Sequence, residues 1–431
     1  MLANLSRAEK LDGVAKIRGG FSRAQVLDVE TGKITDIAAA KEGDTLELPI
    51  SIETADALYV RVSRESPQPD AAQPKAVAER EISGWSAKRL DDNSMTLDYV
   101  SFSYDGGKKR IDGEVPVLEA MNYLNSIKYD GDVKVVYAFN AKNFDPNRKL
   151  RLVVEYPERA EIRVNGKEVK YAGLPAWRDF RWLPIDITGL VKDGKNTIEM
   201  HYRDFKYGDL ATYKPQWRRY GTELEAVYLV GDFSVVSVDT GARPVNPQNL
   251  DYKAKIPNIV MIKKDALAIT NPVPLKLGDA TTNGLPFYAG RLAYSANVKT
   301  PKKENERIVL KLGNLDCPVA EVLVDGKRAG VIKNTPFEID ITGSVSKPES
   351  KIEVVLYASL RNLMDCPHHA LGELMSIWPR FYTIQDLPRG AKFFDSLKAF
   401  ADGTWQSKDW NWDYCQIEFG NVGKISLITK K

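Results

Sequence analysis

The segments LPIDITGLVKDGKNTIEMHYR, residues 183–203, and FEIDITGSVSKPESKIEVVLYA, residues 337–358, repeat one pattern. Each contains a short apolar run, an Asp-Ile-Thr-Gly turn, a polar loop and a second run in which apolar and polar residues alternate. Alternation with a period of two is typical of a β-strand that buries one face. The chain therefore encodes the same pair of strands twice.

A hairpin signal precedes each copy. Asn165-Gly166 lies in EIRVNGKEV, and Asp325-Gly326 lies in EVLVDGKRAG. Such pairs favour type I′ turns, because both central residues of that turn need a positive φ. The copies are about 155 to 160 residues apart, which is the size of a domain and far longer than a solenoid repeat. We infer two domains of one β type, in which the Asp and Thr side chains of the turn bond local backbone groups.

Composition and periodicity agree with an all-β fold. The chain has 431 residues, of which 28% are charged and 10% aromatic, as expected for a globular protein of two or three domains. Its apolar runs are short and bounded by Gly or Pro, and only VLEAMNYLNSIK, residues 117–128, has helical periodicity. No run reaches the roughly 18 apolar residues that a membrane span needs. We therefore predict an all-β chain with no membrane span.

Charge and cysteine content exclude several classes of function. The net charge of +3 arises from 61 basic and 58 acidic residues that are interspersed, so we predict no nucleic-acid partner. Cys317, Cys366 and Cys415 are too few for a disulfide framework and lack metal-ligand spacing. Buried thiols are expected, and a single disulfide stays open. The compartment also stays open between secreted or periplasmic and cytoplasmic.

The chain divides into four parts. ESPQPDAAQPKAVAE is rich in Pro, Ala and Gln and short of large apolar residues, which is typical of a linker. MLANLS resembles the tail of a strand, so we expect the first part to be incomplete. The predicted parts are a partial β domain, a linker, a first jelly-roll sandwich and a second one, at residues 1–64, 65–81, 82–240 and 241–431.

Eight stretches occur in an order that resembles one family. They are LDVETGKI, MTLDYVSFSYDGG, LRLVVEYPERAEIRVNGKEV, IDITGLVKDGKNTIEM, ELEAVYLVGDFSV, GLPFYAGRLAYS, AEVLVDGKRAGVI and SLRNLMDCPHH. Together they look like the C-terminal half of large bacterial glycoside hydrolases of the α-L-rhamnosidase type, whose relatives carry sugar-binding domains of the β-galactosidase kind. The likeness covers nearly the whole chain. It departs at Met364-Asp365-Cys366, where the family pattern has a Gly before Pro-His-His.

The resemblance implies tandem jelly-roll, galactose-binding-like sandwiches. It also implies a catalytic (α/β) barrel that lies N-terminal to this region in the parent enzyme and packs on it. The implied partners are therefore a carbohydrate and that barrel. No cofactor is expected, although a structural Ca²⁺ stays open.

One pair of carboxylates invites a catalytic interpretation. Glu223 and Glu225, at i and i+2, share one strand face about 7 Å apart, which resembles a glycosidase pair. A solvent-facing or interface pair is the simpler interpretation, because such enzymes usually place the two acids on separate strands at a barrel rim. We therefore predict that the chain has no catalytic residues.

The histidines give no metal signature. His368 and His369 are adjacent, so on an extended chain they point in opposite directions, and His201 supplies no recognisable third spacing. We predict no metal site there. One imidazole is expected to bond a buried backbone group beside Arg361-Asn362, and the other to reach a domain interface.

Aromatic and arginine residues concentrate in the long insertion that distinguishes the first copy from the second. Sugar recognition uses flat aromatic faces for C–H groups, with Arg and carboxylate partners for hydroxyls. We predict that the insertion binds carbohydrate or packs on the barrel. Its candidate residues are Trp177, Arg178, Asp179, Trp182, Trp217, Arg218, Tyr220 and Glu223.

Two functions from different classes remain at this stage. One is a non-catalytic accessory and carbohydrate-binding portion of a glycoside hydrolase that acts on plant or other complex polysaccharides. The other is a free-standing tandem carbohydrate-binding or adhesion protein. An independently active hydrolase is weaker, because no acid and nucleophile pair is evident. The sugar and the linkage stay open.

Overall fold

The computed structural model describes residues 1–6, 9–29, 32–54, 56–66, 75–209, 219–242, 259–300, 303–364, 368, 398–399, 401–402 and 411–431. These residues form antiparallel sheets and two short helices, so the predicted all-β class is confirmed. In the described part, no helix is long and apolar enough to cross a membrane.

A small unit occupies the N-terminal part of the chain. Its strands form one sheet in the order β1-β7-β3-β4 and another in the order β2-β6-β5. Its core is small and centres on Ala24, Leu46 and Leu48. The strands are β1 (Leu2–Ala3), β2 (Leu11–Arg18), β3 (Arg23–Leu27), β4 (Ile34–Ile37), β5 (Ala40–Glu42), β6 (Thr45–Ile52) and β7 (Ala57–Ser63).

The next part of the chain holds thirteen strands and the longer helix. They are β8 (Ala76–Glu81), β9 (Ser86–Arg89), β10 (Asn93–Leu97), β11 (Tyr99–Tyr104), β12 (Lys109–Pro116), α1 (Val117–Ser126), β13 (Gly131–Ala141), β14 (Leu150–Glu155), β15 (Glu161–Val164), β16 (Lys167–Val169), β17 (Trp182–Asp186), β18 (Gly194–Phe205), β19 (Val227–Gly231) and β20 (Ser234–Val236). The predicted helix is confirmed by α1.

The remaining elements follow in the second half. They are β21 (Ile259–Ile262), β22 (Ala268–Thr270), β23 (Arg291–Lys299), β24 (Arg307–Leu312), β25 (Val319–Val324), β26 (Lys327–Ile332), β27 (Glu338–Asp340), β28 (Glu349–Tyr357), α2 (Arg361–Met364), β29 (Tyr414–Ile417) and β30 (Ile425–Lys430). Strands β21 and β29 pair with each other.

Two β-sandwiches are built from these strands. The first sandwich has a sheet in the order β10-β19-β14-β17 facing a sheet in the order β12-β11-β13-β18-β15-β16, which β20 and β22 extend. The second sandwich has sheets in the orders β26-β25-β28-β23-β9 and β27-β24-β30-β8. Each sandwich has its own large apolar core.

The second sandwich begins before the first. Strand β8 pairs with β30, and β9 pairs with β23, although both precede the first sandwich in the sequence. The predicted linker and the boundary at residue 82 are corrected here: residues 76–81 form a strand, and residues 82–89 belong to the second sandwich. The first sandwich is thus inserted into the second. The other predicted boundaries stay predictions.

The Asp-Ile-Thr-Gly turn has the same hydrogen bonds in both sandwiches. In the first, the Thr188 hydroxyl accepts the Leu150 N–H at 3.1 Å, and the Thr188 N–H donates to Asp186 Oδ1 at 2.9 Å. In the second, the Thr342 hydroxyl accepts the Ile308 N–H at 2.8 Å. Its own N–H donates to the Asp340 carboxylate at 2.9 Å. The turn therefore closes the start of a neighbouring strand in each copy.

The predicted hairpins are also confirmed. Asn165 and Gly166 have φ values of 50° and 82°, and Asp325 and Gly326 have φ values of 49° and 77°. Each first residue also exchanges two hydrogen bonds with the start of the long strand that follows. Asn165 bonds Thr197, and Asp325 bonds Lys351.

Segments from the second half of the chain complete the core of the first sandwich. Ile262, Phe287, Leu363 and Tyr414 belong to that core although they follow the first sandwich in the sequence. These side chains are fully or almost fully buried, so they anchor the segments that carry them to the first sandwich.

Candidate functional site at the matching ends of the two sandwiches

The shared turn allows the two sandwiches to be aligned residue by residue. Since Thr188 binds Leu150 and Thr342 binds Ile308, Leu150 corresponds to Ile308. Counting along β14 and β24 from these two residues makes Glu155 correspond to Gly313. The alignment therefore pairs the strand ends as well as the turns.

The neighbouring strands give the second pair of positions. Leu150 faces Gly231 on β19, and Ile308 faces Thr429 on β30. Counting back from these residues makes Glu225 correspond to Gly423. The residue before each of them is fully buried in both sandwiches, which supports the alignment. The same end of the sandwich thus carries two glutamates in one copy and two glycines in the other.

A pair of carboxyl groups lies at this end of the first sandwich. The side chain of Glu225 is hydrogen-bonded to that of Glu155. Glu225 as a whole is exposed, but desolvation of its carboxyl group, the hydrogen bond with Glu155 and the charges of Glu155 and Glu223 raise its pKa to about 8. The Tyr137 hydroxyl donates to the Glu225 carbonyl at 2.5 Å and holds the backbone in place. Glu225 therefore retains a proton at neutral pH.

Two guanidinium groups lie against the ring of the next residue, Tyr156. Arg159 and Arg181 place their Cζ atoms 4.0 and 4.5 Å from the centre of the Tyr156 ring. Tyr156 directly follows Glu155 and has a positive φ of 50°, which turns the chain sharply into the 3₁₀ turn Pro157–Arg159. Arg181 also contacts the exposed ring of Phe180, 4.9 Å from its centre.

The predicted tryptophan residues form the base of the loop that carries Arg181. The rings of Trp177 and Trp182 stack with centres 5.8 Å apart, and Trp182 lies 4.5 Å from Tyr228. Trp182 is buried and Trp177 half-buried. Their rings therefore pack on each other and on the sheet, which occupies the face of Trp182 that a sugar would need.

The polar members of this loop have structural contacts. The Asp179 carboxylate accepts the Arg181 N–H at 2.8 Å, and the Trp182 N–H donates to the Asp179 carbonyl at 3.1 Å. Arg178 is exposed, has a φ of 65° and lies 5.7 Å from the Trp177 ring. Asp179 therefore closes the turn that presents Arg181.

The matching end of the second sandwich is a cleft of about 350 Å³. The segment after Gly313 forms one side, and the segment that leads into β30 forms the other. Its apolar lining is Leu315, Pro318, Phe337 and Phe419. Its polar lining includes Asn314, Asp316, Ser359 and Glu418. An apolar surface with a few convergent polar groups is typical of a small-molecule site.

Glycine is required where the two segments meet. A Cβ on Gly313 would lie 2.9 Å from the Lys424 nitrogen, and a Cβ on Gly423 would lie 3.0 Å from the Asn314 nitrogen. The Gly313 N–H donates to the Lys424 carbonyl at 2.8 Å. At the position where the first sandwich has a carboxyl pair, the two backbones of the second sandwich approach each other directly. This close approach fixes the walls of the cleft.

Two side chains hold the polar rim and one thiol lies below it. The Asn314 amide donates to the Asp316 carboxylate at 2.6 Å, and the Asn421 amide donates to Glu418 at 3.1 Å. Cys317, which corresponds to Arg159, donates to the Val319 carbonyl, and burial raises the pKa of its thiol to about 12. The thiol therefore stays protonated.

Arg361 and Asn362, two of the predicted site residues, hold the last part of the chain. Asn362 is buried; its amide donates to the Ile417 carbonyl at 2.8 Å and its oxygen accepts the Ile417 N–H at 3.0 Å. Arg361 donates to the Cys415 carbonyl at 3.3 Å. Both residues therefore anchor β29, and Asn362 also lines the cleft.

His368 is fully buried against the first sandwich, beside the residues between β10 and β11. Its Nε2 lies 3.0 Å from Asp98 Oδ2, and its Nδ1 lies 3.0 Å from the Asn411 carbonyl. The Tyr414 hydroxyl donates to the other Asp98 oxygen at 2.8 Å. A histidine bonded to a carboxylate and a backbone carbonyl holds together parts of the chain that are distant in sequence.

The other predicted residues are distributed as follows. Trp217, Arg218 and His369 lie outside the described residues. Tyr220 is 76% exposed, and Glu223 is exposed just before β19. Among the described residues, no three His, Cys, Asp or Glu side chains converge in a way that would hold a metal ion.

Sequence reasoning missed the residues that the alignment brings together. Glu155, Tyr156 and Arg159 follow a strand, and Phe337 precedes the second turn, but none lies in a recognisable motif. Extending the repeat from the Asp-Ile-Thr-Gly turns into the adjacent strands would have placed them at matching ends. The repeat itself was therefore the signal that could have found them.

Comparison with known proteins gives local and distant similarities. No family model matches the chain. A curated protein of Formosa agariphila named "Putative beta-glucuronidase" is 33% identical over 84 residues, which is 19% of this chain and 7% of that protein. The chain thus matches only a small part of this relative.

Solved structures with similar regions are glycoside hydrolases. A rhamnosidase from Novosphingobium sp. PP1Y has a TM-score of 0.36 and 14% identity, over 99% of this chain and 22% of its own. A GH2 beta-galacturonidase from Eisenbergiella tayi has a TM-score of 0.24 and 13% identity, over 62% of this chain and 37% of its own. The chain spans less than a quarter of the rhamnosidase.

Proposed function

We propose that the chain is a non-catalytic, carbohydrate-binding portion of a glycoside hydrolase of the α-L-rhamnosidase type. The cleft at the end of the second sandwich is the proposed binding site for a sugar residue of a plant or other complex polysaccharide. The observation that carries this proposal is the lining of the cleft. Apolar side chains offer a surface for the C–H face of a pyranose, and amide, hydroxyl and carboxylate groups at the rim can bond its hydroxyls.

Two further observations support the glycoside hydrolase context. The ordered set of eight stretches resembles the C-terminal half of such enzymes. The local match at 33% identity is to a protein whose name is that of a glucuronidase. The proposed protein partner is accordingly a catalytic (α/β) barrel. A free-standing carbohydrate-binding or adhesion protein is the alternative that shares the same cleft.

The carboxyl pair of the first sandwich supports the non-catalytic part of the proposal. A retaining glycosidase holds its two carboxyl groups about 5 Å apart, and an inverting one holds them about 6.5–9.5 Å apart. Glu155 and Glu225 are directly hydrogen-bonded, so no glycosidic oxygen or water fits between them. The purified chain should not hydrolyse aryl α-L-rhamnosides, β-galactosides or β-glucuronides. Turnover that disappears in Glu225→Gln, Asp316→Asn or Glu418→Gln would contradict this expectation.

Binding at the cleft can be tested with one aromatic residue and its counterpart. Phe337 lines the cleft, and the repeat places Leu183 at the corresponding position of the first sandwich. Neutral rhamnose- and galactose-containing oligosaccharides should bind with millimolar affinity, since one stacking contact contributes on the order of 1 kcal/mol. Phe337→Ala should weaken binding about fivefold. Leu183→Ala should leave it unchanged.

Calorimetric titration of the two variants and the parent chain is the measurement. The thermal midpoint of each variant is recorded alongside, so that lost binding can be separated from unfolding. Binding that survives in a folded Phe337→Ala variant would remove the cleft from the site. The absence of binding to the whole oligosaccharide panel would contradict the proposed function.

A further inference from the structure

Arg159 and Arg181 form a cluster with Tyr156 that the proposed sugar cleft does not use. The two guanidinium groups come from different segments, the 3₁₀ turn after β14 and the loop before β17, yet both lie against one ring. Both arginines are exposed, whereas Tyr156 is half-buried. We call Arg159, Arg181 and Tyr156 the arginine clamp.

The clamp arginines differ from the other cations around them. Arg159 forms one wall of an open groove of about 470 Å³. In that groove Arg203 binds the Glu161 carboxylate at 2.9 and 3.1 Å, and His201 binds Asp132 at 2.5 Å. Within the described chain, neither clamp arginine has a carboxylate oxygen within 4.0 Å. The clamp therefore presents two guanidinium groups that form no ion pair with any carboxylate in the part of the chain that the structure describes.

The clamp is held in place before any ligand arrives. The Asp179 turn and the stacked Trp177 and Trp182 rings fix the loop of Arg181. Contact with the Tyr156 ring restricts both guanidinium groups, because a cation is attracted to the face of an aromatic ring. Side chains that are already ordered lose less conformational entropy on binding. Arg159 and Arg181 therefore have less side-chain freedom to lose when a ligand binds.

Acidic groups near the clamp leave room for an anion. Glu158 lines the same groove and is exposed, so water screens its charge. The pKa of Glu225 is raised to about 8, so its carboxyl group carries little negative charge at neutral pH. Glu223 is exposed. The two clamp cations are consequently opposed mainly by screened surface charges.

We propose that the arginine clamp binds an oxyanion carried on a sugar, either the carboxylate of a uronic acid or a sulfate ester. Guanidinium groups bind carboxylate and sulfate-like oxygens through paired N–H donors, which gives both charge and geometry. The ring of Phe180, which is 74% exposed and touches Arg181, offers an apolar face for the pyranose that carries the anion. This site lies on the first sandwich and is independent of the neutral-sugar cleft on the second.

Matched acidic and neutral oligosaccharides test the proposal. Oligogalacturonate and a sulfated galactan oligosaccharide are titrated into the whole chain at low salt, with neutral galacto-oligosaccharides as the reference. Both acidic ligands should bind, and Arg159→Gln and Arg181→Gln should each weaken them about tenfold, as expected for a charge-assisted contact. Arg163→Gln is the control, because it removes the same charge from β15 of the same sandwich, away from Tyr156.

Three outcomes would overturn the clamp. They are absence of binding to both acidic ligands, equal weakening in the Arg163→Gln variant, and inorganic sulfate that binds as tightly as the sulfated oligosaccharide. The second would indicate unspecific charge, and the third would indicate a free-anion site. Failure of the clamp leaves Phe337-dependent binding of neutral sugars untouched, so the two proposals are tested separately.

Discussion

The two sandwiches share one frame, which consists of the Asp-Ile-Thr-Gly turn, the hairpin and the strands around them. They differ in the residues at one matching end of this frame. In the first, Glu155 and Glu225 meet through their carboxyl groups, and Tyr156 follows with two arginines against its ring. In the second, Gly313 and Gly423 stand at the corresponding positions, and the two backbones approach each other directly. One end therefore presents charged side chains on an exposed surface, and the other forms a cleft with an apolar lining.

The two sandwiches share the turns and hairpins that make the fold, and they differ at the ends where we propose ligand binding. The Thr hydroxyls of both turns accept a buried strand N–H, and both hairpins have a positive φ at two consecutive residues. These contacts are required by backbone geometry, so they tolerate little change. The residues at the strand ends differ between the copies, with Glu155 and Glu225 in the first and Gly313 and Gly423 in the second. Differences between the two copies are consequently the places to look for function.

The largest difference within the frame concerns the residue that supports each hairpin. Asn196 in the first sandwich is fully buried, and its side chain makes four hydrogen bonds, to the Asn165 amide and to the backbone of Lys192 and Gly194. Ser350 holds the corresponding position of the second sandwich; its hydroxyl accepts from the Thr300 hydroxyl at 3.4 Å and bonds the Asp325 carboxylate. The first hairpin thus depends on one side chain far more than the second does.

Asn196→Ala should therefore lower the free energy of unfolding by about 3 kcal/mol, because it leaves several buried polar groups without a partner. Ser350→Ala should cost about 1 kcal/mol, since the serine makes fewer hydrogen bonds than Asn196 and one of them is long. Urea unfolding of both variants measures the two values. Equal losses of unfolding free energy in the two variants would show that Asn196 and Ser350 support their hairpins equally, which would contradict the difference inferred here.

The sequence predicted the frame, because the frame depends on local signals. Asn-Gly and Asp-Gly pairs, alternating strands and the repeated turn all act within a few residues. The order of the sandwiches was missed, because AVAERE in residues 76–81 has the composition of a linker and its pairing partner lies about 350 residues away. Local composition does not identify β8 as a strand, because its neighbour in the sheet is β30, near the other end of the sequence.

The candidate sites were missed for a related reason. Trp182 was a reasonable candidate for a sugar surface, but its ring is buried against Tyr228. Burial of that ring depends on the pairing of β14 with both β17 and β19, which brings Trp182 and Tyr228 to one face. The clamp and the cleft likewise depend on register, which a single sequence does not give directly.

The second prediction concerns the carboxyl pair that the second sandwich lacks. The folded-state pKa of Glu225 is about 8, whereas an ordinary glutamate titrates near 4.5. Between these pH values the folded chain keeps a proton that the unfolded chain releases, so stability falls as the pH rises from about 4.5 to 8. Glu225→Gln should remove this loss, because an amide keeps a hydrogen bond to Glu155 without titrating.

Thermal midpoints recorded from pH 4.5 to 9 check this expectation. The midpoint of the parent chain should decline across the interval, and that of Glu225→Gln should decline less. Glu158→Gln is the control, since it removes an exposed carboxylate from the same turn. A parent and a Glu225→Gln variant whose curves stay parallel would mean that the pair does not hold a proton in the folded chain.

The smallest expected effect sharpens the comparison at the hairpins. The Lys351 N–H donates to the Asp325 carboxylate at 3.0 Å, and this bond is the main cause that lowers the pKa of Asp325. Stability from this group is present above about pH 4 and is lost as the pH falls through the lowered folded-state pKa. Asn165 makes the same backbone contact through an amide oxygen.

Asp325→Asn should therefore shift the thermal midpoint at pH 7 by less than about 2 °C and make the decline below pH 4 shallower. A large loss at pH 7 would mean that the charge of Asp325, and not its acceptor oxygen, holds the second hairpin, and the two hairpins would then be alike in shape but not in chemistry.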